Sequence, residues 1–147
     1  MDYTLPAPKF FVDQLAETEV VPQAAEDTDD GGPKWKRYRA RGVTFQRVWL
    51  QGVLLASDED LGEKIGALDD GTGVIELDMS KMGNVHTLRA GAYILVIGPL
   101  TTDKDDGGHY VKVHKLVDLT KAPNREAIWF LEVIEADKMR TEAREAQ

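Results

Sequence analysis

Catalysis and metal binding need particular side chains at particular spacings, and this 147-residue chain offers few of them. It has no cysteine, which removes disulfides, thiolate zinc sites, iron–sulfur clusters and thiol nucleophiles together. Its three histidines, His86, His109 and His114, form no ligand set and read as surface or turn residues. Asp103-x-Asp105-x-Gly107-Gly108 opens like a calcium loop, but its twelfth position is His114 where a bidentate glutamate is required, so it reads as a hairpin turn. Gly71-x-Gly73 precedes a strand instead of a helix N-terminus and fails as a phosphate-binding fingerprint. Ser57 and Ser80, the only serines, lack the flanks of a nucleophile elbow. Asp58, Glu59 and Asp60 could pair carboxylates, but a solvated loop accounts for them. No catalytic constellation remains, so the expectation is a protein that is not an enzyme and uses no cofactor or metal.

The charges that do no chemistry are unevenly spread. There are 18 Lys+Arg against 26 Asp+Glu, a formal net charge of −8. Glu17, Glu19, Glu26, Asp27, Asp29 and Asp30 form an acidic run. Lys34, Lys36, Arg37, Arg39, Arg41 and Arg47 then form a basic one with no acid between them. The net charge argues against general nucleic-acid affinity. The basic stripe, which contains Trp35 and Tyr38, fits a weak strand contact or an import signal, but a solvated linker is the simpler reading. No apolar run approaches the roughly 18–20 residues that span a bilayer, and no secretory signal opens the chain. A soluble, intracellular protein without membrane contact is expected.

The elements that would carry a function are mostly strands. Residues 1–33 read as a tail: a short docking helix around 8–17, with Phe10, Phe11, Val12 and Leu15 apolar, then an acidic linker. Residues 34–147 read as the folded domain. Val43–Ala56 predicts a long strand bent or bulged at Gly52. Lys64–Leu68 and Val74–Met79 flank Asp69–Asp70–Gly71–Thr72–Gly73, a hairpin signal. Ala92–Ile97 is a strand stopped by Gly98–Pro99, and Tyr110–Leu119 is the fifth. Asn124–Arg144 predicts a helix. Five strands, the first long and bent, followed by a helix give an all-β class: a small closed Greek-key barrel of the OB type with a C-terminal helix.

A barrel wet on its outside should alternate apolar and polar residues. Val48, Leu50, Leu54 and Ala56 make one sensible core parity, yet Phe45, Trp49, Val53 and Leu55 occupy the other. A register shift at Gly52 would send Val53 and Leu55 inward but would leave Trp49 unexplained. Tyr93–Ile97 is apolar on both parities. The helix carries Ala127–Ile128–Trp129–Phe130–Leu131 and Val133–Ile134, more than one side can hide. A domain this small should therefore show an apolar patch to a partner, built from Trp49, Tyr93 and the C-terminal helix.

The segments Val48–Gly52, Gly91–Gly98, Lys115–Leu119 and Trp129–Val133, with Pro8–Leu15 upstream, resemble the RecQ-mediated genome instability protein 2 family in order, spacing and length. The resemblance covers about residues 6–16 and 42–138; residues 17–41 have no counterpart, which suggests a divergent, plant-like branch. It implies a nuclear OB-fold subunit without catalytic activity. In that family the domain pairs with the OB domain of RecQ-mediated genome instability protein 1. Through it the subunit joins topoisomerase III and a Bloom-type RecQ helicase, which together dissolve double Holliday junctions. Little direct DNA binding is implied, and in animals the paired domains receive a peptide of the Fanconi anaemia M helicase. The positions matching Lys115 and Trp129 border that groove, and the one matching Lys9 lies in the subunit contact; with Trp49, Tyr93 and Val133 they form the expected partner-binding set.

The residues themselves leave two points open. Lys115 shares its parity with Val111, Val113 and Val117, so it faces an apolar surface unless a bulge returns it to water. Trp129 fits either the core or an interface hot spot. The alternative function is a stand-alone single-stranded nucleic-acid binder stacking bases on Phe45, Trp49, Tyr93 and Tyr110 beside Arg47 and Lys112.

Overall fold

The computed structural model describes residues 1–22, 35–83, 85, 87–102 and 107–146. The N-terminal residues, expected as a tail, are built into the domain. Val12–Glu17 is a 3-10 helix whose first turn is held by Gln14, its side-chain oxygen accepting the Phe11 N–H at 2.9 Å. Phe10, Val12 and Leu15 are buried in the same core as the barrel. Strand β1 (Glu19–Val21) then pairs with β2 (Arg37–Ala40), which turns into β3 (Val43–Phe45) through Arg41 and Gly42, both at positive φ. The acidic linker from residue 23 and Lys34 lie outside the described residues.

The basic stretch is not a solvated linker where it is described. Tyr38 and Ala40 are buried, Tyr38 in an aromatic cluster in which Phe45 also meets Phe10 edge-on at 5.4 Å. Burial pushes the Tyr38 phenol up, and its hydroxyl shares a hydrogen bond with Thr102. Arg41 is spent on an ion-pair fork to Asp137 and a second contact to Glu17 at 3.0 Å.

The barrel follows from the two apolar strands read in the sequence. Strand β4 (Arg47–Leu55) pairs with β5 (Ile65–Asp69) and along its length with β7 (Tyr93–Thr102). Strand β6 (Val74–Asp78) returns from β5 by the predicted hairpin, and β8 (His109–Lys112) pairs parallel with β6 and antiparallel with β7. These five strands close on themselves, and β9 (Lys115–Asp118) adds to the outer half of β7. Closure gives each of β4 through β8 a partner strand on both sides over part of its length. After Ser57, whose hydroxyl accepts the Asp60 N–H at 3.0 Å while Asp60 accepts the Ser57 N–H, runs the short helix α1 (Asp58–Gly62). Helix α2 (Arg125–Glu145) ends the fold.

Three strand expectations change. Val43–Ala56 is interrupted at Gln46, and no bulge falls at Gly52. The buried Gln46 amide accepts the Asp2 N–H at 2.7 Å and donates to the Trp35 carbonyl at 2.9 Å, so the break is satisfied by a side chain. Register runs unshifted through Gly52: Leu54 points in, while Val53 and Leu55 point out. Glycine is required there because a Cβ would stand 2.5 Å from the Asp69 carbonyl of β5. Second, Gly98–Pro99 does not stop β7. The strand continues to Thr102, and a Cβ at Gly98 would overlap the Lys112 carbonyl, so the glycine admits β8 instead of ending the strand. Third, Tyr110–Leu119 splits into β8 and β9 at Val113–His114.

The hairpin residue Asp70 does more than turn the chain. Nearly buried, it accepts the Thr72 and Gly73 N–H groups with one oxygen and the Val12 N–H at 2.7 Å with the other. It thereby locks the N-terminal segment to the barrel, a role without local signature in the sequence.

Candidate partner interface

Cross-strand neighbours point to the same side of a sheet, so register decides which residues share a face. On the outside of β4–β7–β9 three rows lie in order: Trp49–Ile97–Lys115, Gln51–Leu95–Val117, and Val53–Tyr93. Trp49, Tyr93 and Lys115, far apart in sequence, are thus on one face. The split after Lys112 leaves Lys115 exposed, which decides its parity in favour of water.

Lys9 joins the same face through the backbone. The Trp49 N–H donates to the Pro8 carbonyl at 2.9 Å and the Phe10 N–H to the Trp49 carbonyl at 3.4 Å, placing residue 9 beside residue 49. The Lys9 ammonium lies 5.4 Å from the Trp49 ring centroid and 3.1 Å from the Glu132 carboxylate of α2. A second tether starts at Gln51, buried on this face, whose amide donates both to the Tyr93 hydroxyl and to the Arg125 carbonyl at 3.1 Å. Burial raises the Tyr93 phenol above its ordinary pKa, and Glu126 and Asp70 act in the same direction. Tyr93, Val53, Leu119, Ala127 and Phe130 line an open hollow of about 670 Å³ at the start of α2.

Helix α2 lies along β4 and the N-terminal segment. Phe130 meets Phe11 at 5.6 Å, Arg140 sits 5.1 Å from the Phe10 ring, and Asp137 receives Arg41. The Arg41 hydrogen bonds hold the Asp137 carboxyl below the usual carboxylate range. Here the expected site needs correcting. Trp129 is 1% exposed and Val133 is fully buried, so both are sequestered by the chain itself and present no area to a partner. The Trp129 indole N–H is also buried without an acceptor among the described residues.

The outward face of the helix is instead built from Leu131 and Ile134, 68% and 55% exposed, with Ala127 one turn earlier. Ile128 and Met139 flank them, also exposed. The spacing 127, 131, 134 is a second amphipathic stripe legible in the sequence, whereas Trp129 entered the expected site through the family resemblance.

The nucleic-acid platforms do not assemble. Phe45 is core, Trp49 lies beneath Lys9, and Tyr110 stands opposite Glu76. His114 sits edge-on to Trp35 at 5.6 Å, and burial with the charges of Lys112, Lys81 and Arg47 depresses its pKa. His109 is within reach of the Thr102 hydroxyl, and its pKa is lowered by burial. Asp60 is occupied in capping α1. No group of three or more metal-ligating side chains converges among the described residues, where also no helix is long and apolar enough to cross a membrane. His86 and the Asp103–Asp105 stretch lie outside them.

Solved structures share this architecture. The chain resembles one from the S. pombe Stn1–Ten1 complex (TM-score 0.60, 16% identity, 76% of this chain and 85% of that one). It also resembles one from a Replication Protein A heterotrimer bound to single-stranded DNA (TM-score 0.60, 16% identity, 92% and 98%). At that identity the likeness establishes the OB fold alone. No curated protein matches the chain by sequence. The profile of the family described as RecQ-mediated genome instability protein 2 matches residues 6–137, nearly the whole barrel and most of α2. The chain therefore belongs to the RecQ-mediated genome instability protein 2 family, as an OB-fold subunit of genome maintenance.

Proposed function

We propose that this chain is a non-catalytic scaffold that pairs with the OB domain of RecQ-mediated genome instability protein 1. Through that domain it stabilises the nuclear complex of topoisomerase III and a Bloom-type RecQ helicase for double Holliday junction dissolution. The observation that carries the reading is the outer stripe of α2, with Leu131 and Ile134 exposed over a helix already anchored on its other side. Such a face is costly in water and suited to a second helix or sheet. Covering it together with Trp49, Lys115 and the Tyr93 hollow would bury on the order of 1,500–2,500 Å², the range of a stable pair. Lys9, over Trp49 on that face, holds α2 through Glu132, and Trp129 and Val133 set the helix position instead of meeting the partner. Lys115, solvated at the rim of the face, is suited to an acceptor on an incoming segment such as the Fanconi anaemia M peptide.

Coexpression with the partner OB domain tests this. A discrete 1:1 species is expected in sedimentation, whereas the chain alone should self-associate as concentration rises. A chain that stays sharply monomeric and elutes apart from the partner domain would refute the pairing. The nucleic-acid reading draws on one observation, the Lys112 ammonium 5.8 Å from the Trp35 ring beside His114. Salt-sensitive micromolar anisotropy with labelled single strands would favour it over the scaffold.

A further inference from the structure

On the side of the barrel away from α2 the register draws another row across five strands: Leu55, Ala67, Glu76, Tyr110 and Thr101. With Ile65 and the end of α1 they line a cleft of about 840 Å³ that includes no residue of α2 or β9. Leu55 and Ile65 are each 43% exposed, apolar surface that nothing in the described chain covers. In an OB fold this strand face and its neighbouring loops are where oligonucleotides lie. Here its charge is inverted. Asp60, Glu76 and Asp78 line it, and no Lys or Arg does among the described residues. Lys112, the register partner of Asp78, has its ammonium 5.8 Å from the Trp35 ring and with Lys81 still acts on the Asp78 carboxylate, so Glu76 and Asp60 carry the remaining negative charge of the cleft. A phosphate backbone would meet carboxylates where it needs cations.

We infer that this cleft is a docking site for a cationic peptide segment, one with an apolar side chain between lysines or arginines. The apolar side chain would rest on Leu55, Ile65 and Tyr110, and its basic neighbours would reach Glu76 and Asp60. Charge complementarity selects this occupant over nucleic acid. The site is separate from the α2 face, so one subunit would hold its scaffold partner and a basic segment together.

The test uses the full chain and a fluorescein-labelled Lys-Arg-Leu-Lys-Arg-Lys peptide in an anisotropy titration, with a fifteen-nucleotide oligothymidylate in parallel. Saturable peptide binding that weakens with salt is expected. Glu76→Lys should weaken it about tenfold, and Leu55→Ser, which alters no charge, several-fold. Glu142→Lys, the same charge change at the far end of α2, should leave it unchanged. Equal weakening by Glu76→Lys and Glu142→Lys would reduce the effect to attraction by an acidic protein and overturn the site. Tighter binding of the oligothymidylate than of the peptide, or no saturation, would also overturn it. Circular dichroism checks each variant, and Glu76→Gln, expected about threefold weaker, replaces Glu76→Lys should the latter unfold.

Discussion

The two faces of α2 are both apolar and nevertheless behave as different materials. The inner one, Trp129 and Val133, is closed over by the barrel and the N-terminal segment and flanked by polar tethers at Lys9–Glu132 and Arg41–Asp137. The outer one, Leu131 and Ile134, has no cover within the described chain. Hydrophobicity alone does not separate a stability element from an interface; the number of surrounding groups does. Residues of the first kind should cost folding energy when truncated, and residues of the second kind should cost association.

The sharpest way to break this contrast is Trp129→Ala, which should destabilise the chain by about 3–5 kcal/mol in urea unfolding, since it opens a large cavity under the helix. A loss under about 1 kcal/mol would mean the helix is not seated by that side chain. Next in size, Leu131→Glu with Ile134→Glu should leave the unfolding midpoint within about 0.5 kcal/mol yet lower partner affinity by about a hundredfold or more, read by calorimetry or coelution. Should that pair unfold the protein instead, the outer stripe belongs to the core.

Arg41→Ala should cost about 1 kcal/mol, because it removes a fork to a half-buried carboxylate and the link from the β2–β3 turn to α2. This contribution has a pH signature. The folded-state Asp137 lies below its reference value of 3.8, so the stability is present in full above that value and is lost as pH falls through the lower folded value. The gap between wild type and Arg41→Ala should thus be wide at neutral pH and narrow progressively as pH falls below 3.8. The smallest effect is expected of Lys9→Ala, about 0.5 kcal/mol, since both the Lys9 and Glu132 side chains remain more than a third exposed and water screens the pair. A larger loss in partner affinity than in stability would move Lys9 from a tether to a direct contact.

The barrel outline was legible before any coordinates because it is written locally. The Asp69–Gly73 turn reads as a hairpin, the runs in β4 and β7 are strand-forming, and residues 125–145 contain no Gly or Pro and are rich in Ala, Glu, Lys and Arg, which favour a helix. The site was half legible. Trp49 stands on the parity opposite the core and Tyr93 on a strand apolar on both parities, and register places both on the outer face. The pattern around Trp129 fits the core as well as an interface, and only the family resemblance places it at a partner groove, since no local rule chooses between two stripes on one helix. Tyr38 and Arg41 looked like part of a basic linker because their partners, Thr102 and Asp137, are distant in sequence.

Composition and period alone thus determined that this polypeptide is a small barrel with a helix and a surplus of apolar surface. Only the packed chain decided which residues that surplus comprises. Parity and helical pitch limit a side chain to one of two directions, but whether another strand, a tail or solvent lies there is set by contacts between residues dozens of positions apart, as when Lys9 meets Trp49 and Glu132. The acidic strand face has the same origin: Leu55, Glu76, Tyr110 and Thr101 are neighbours through register, and no stretch of sequence carries register by itself.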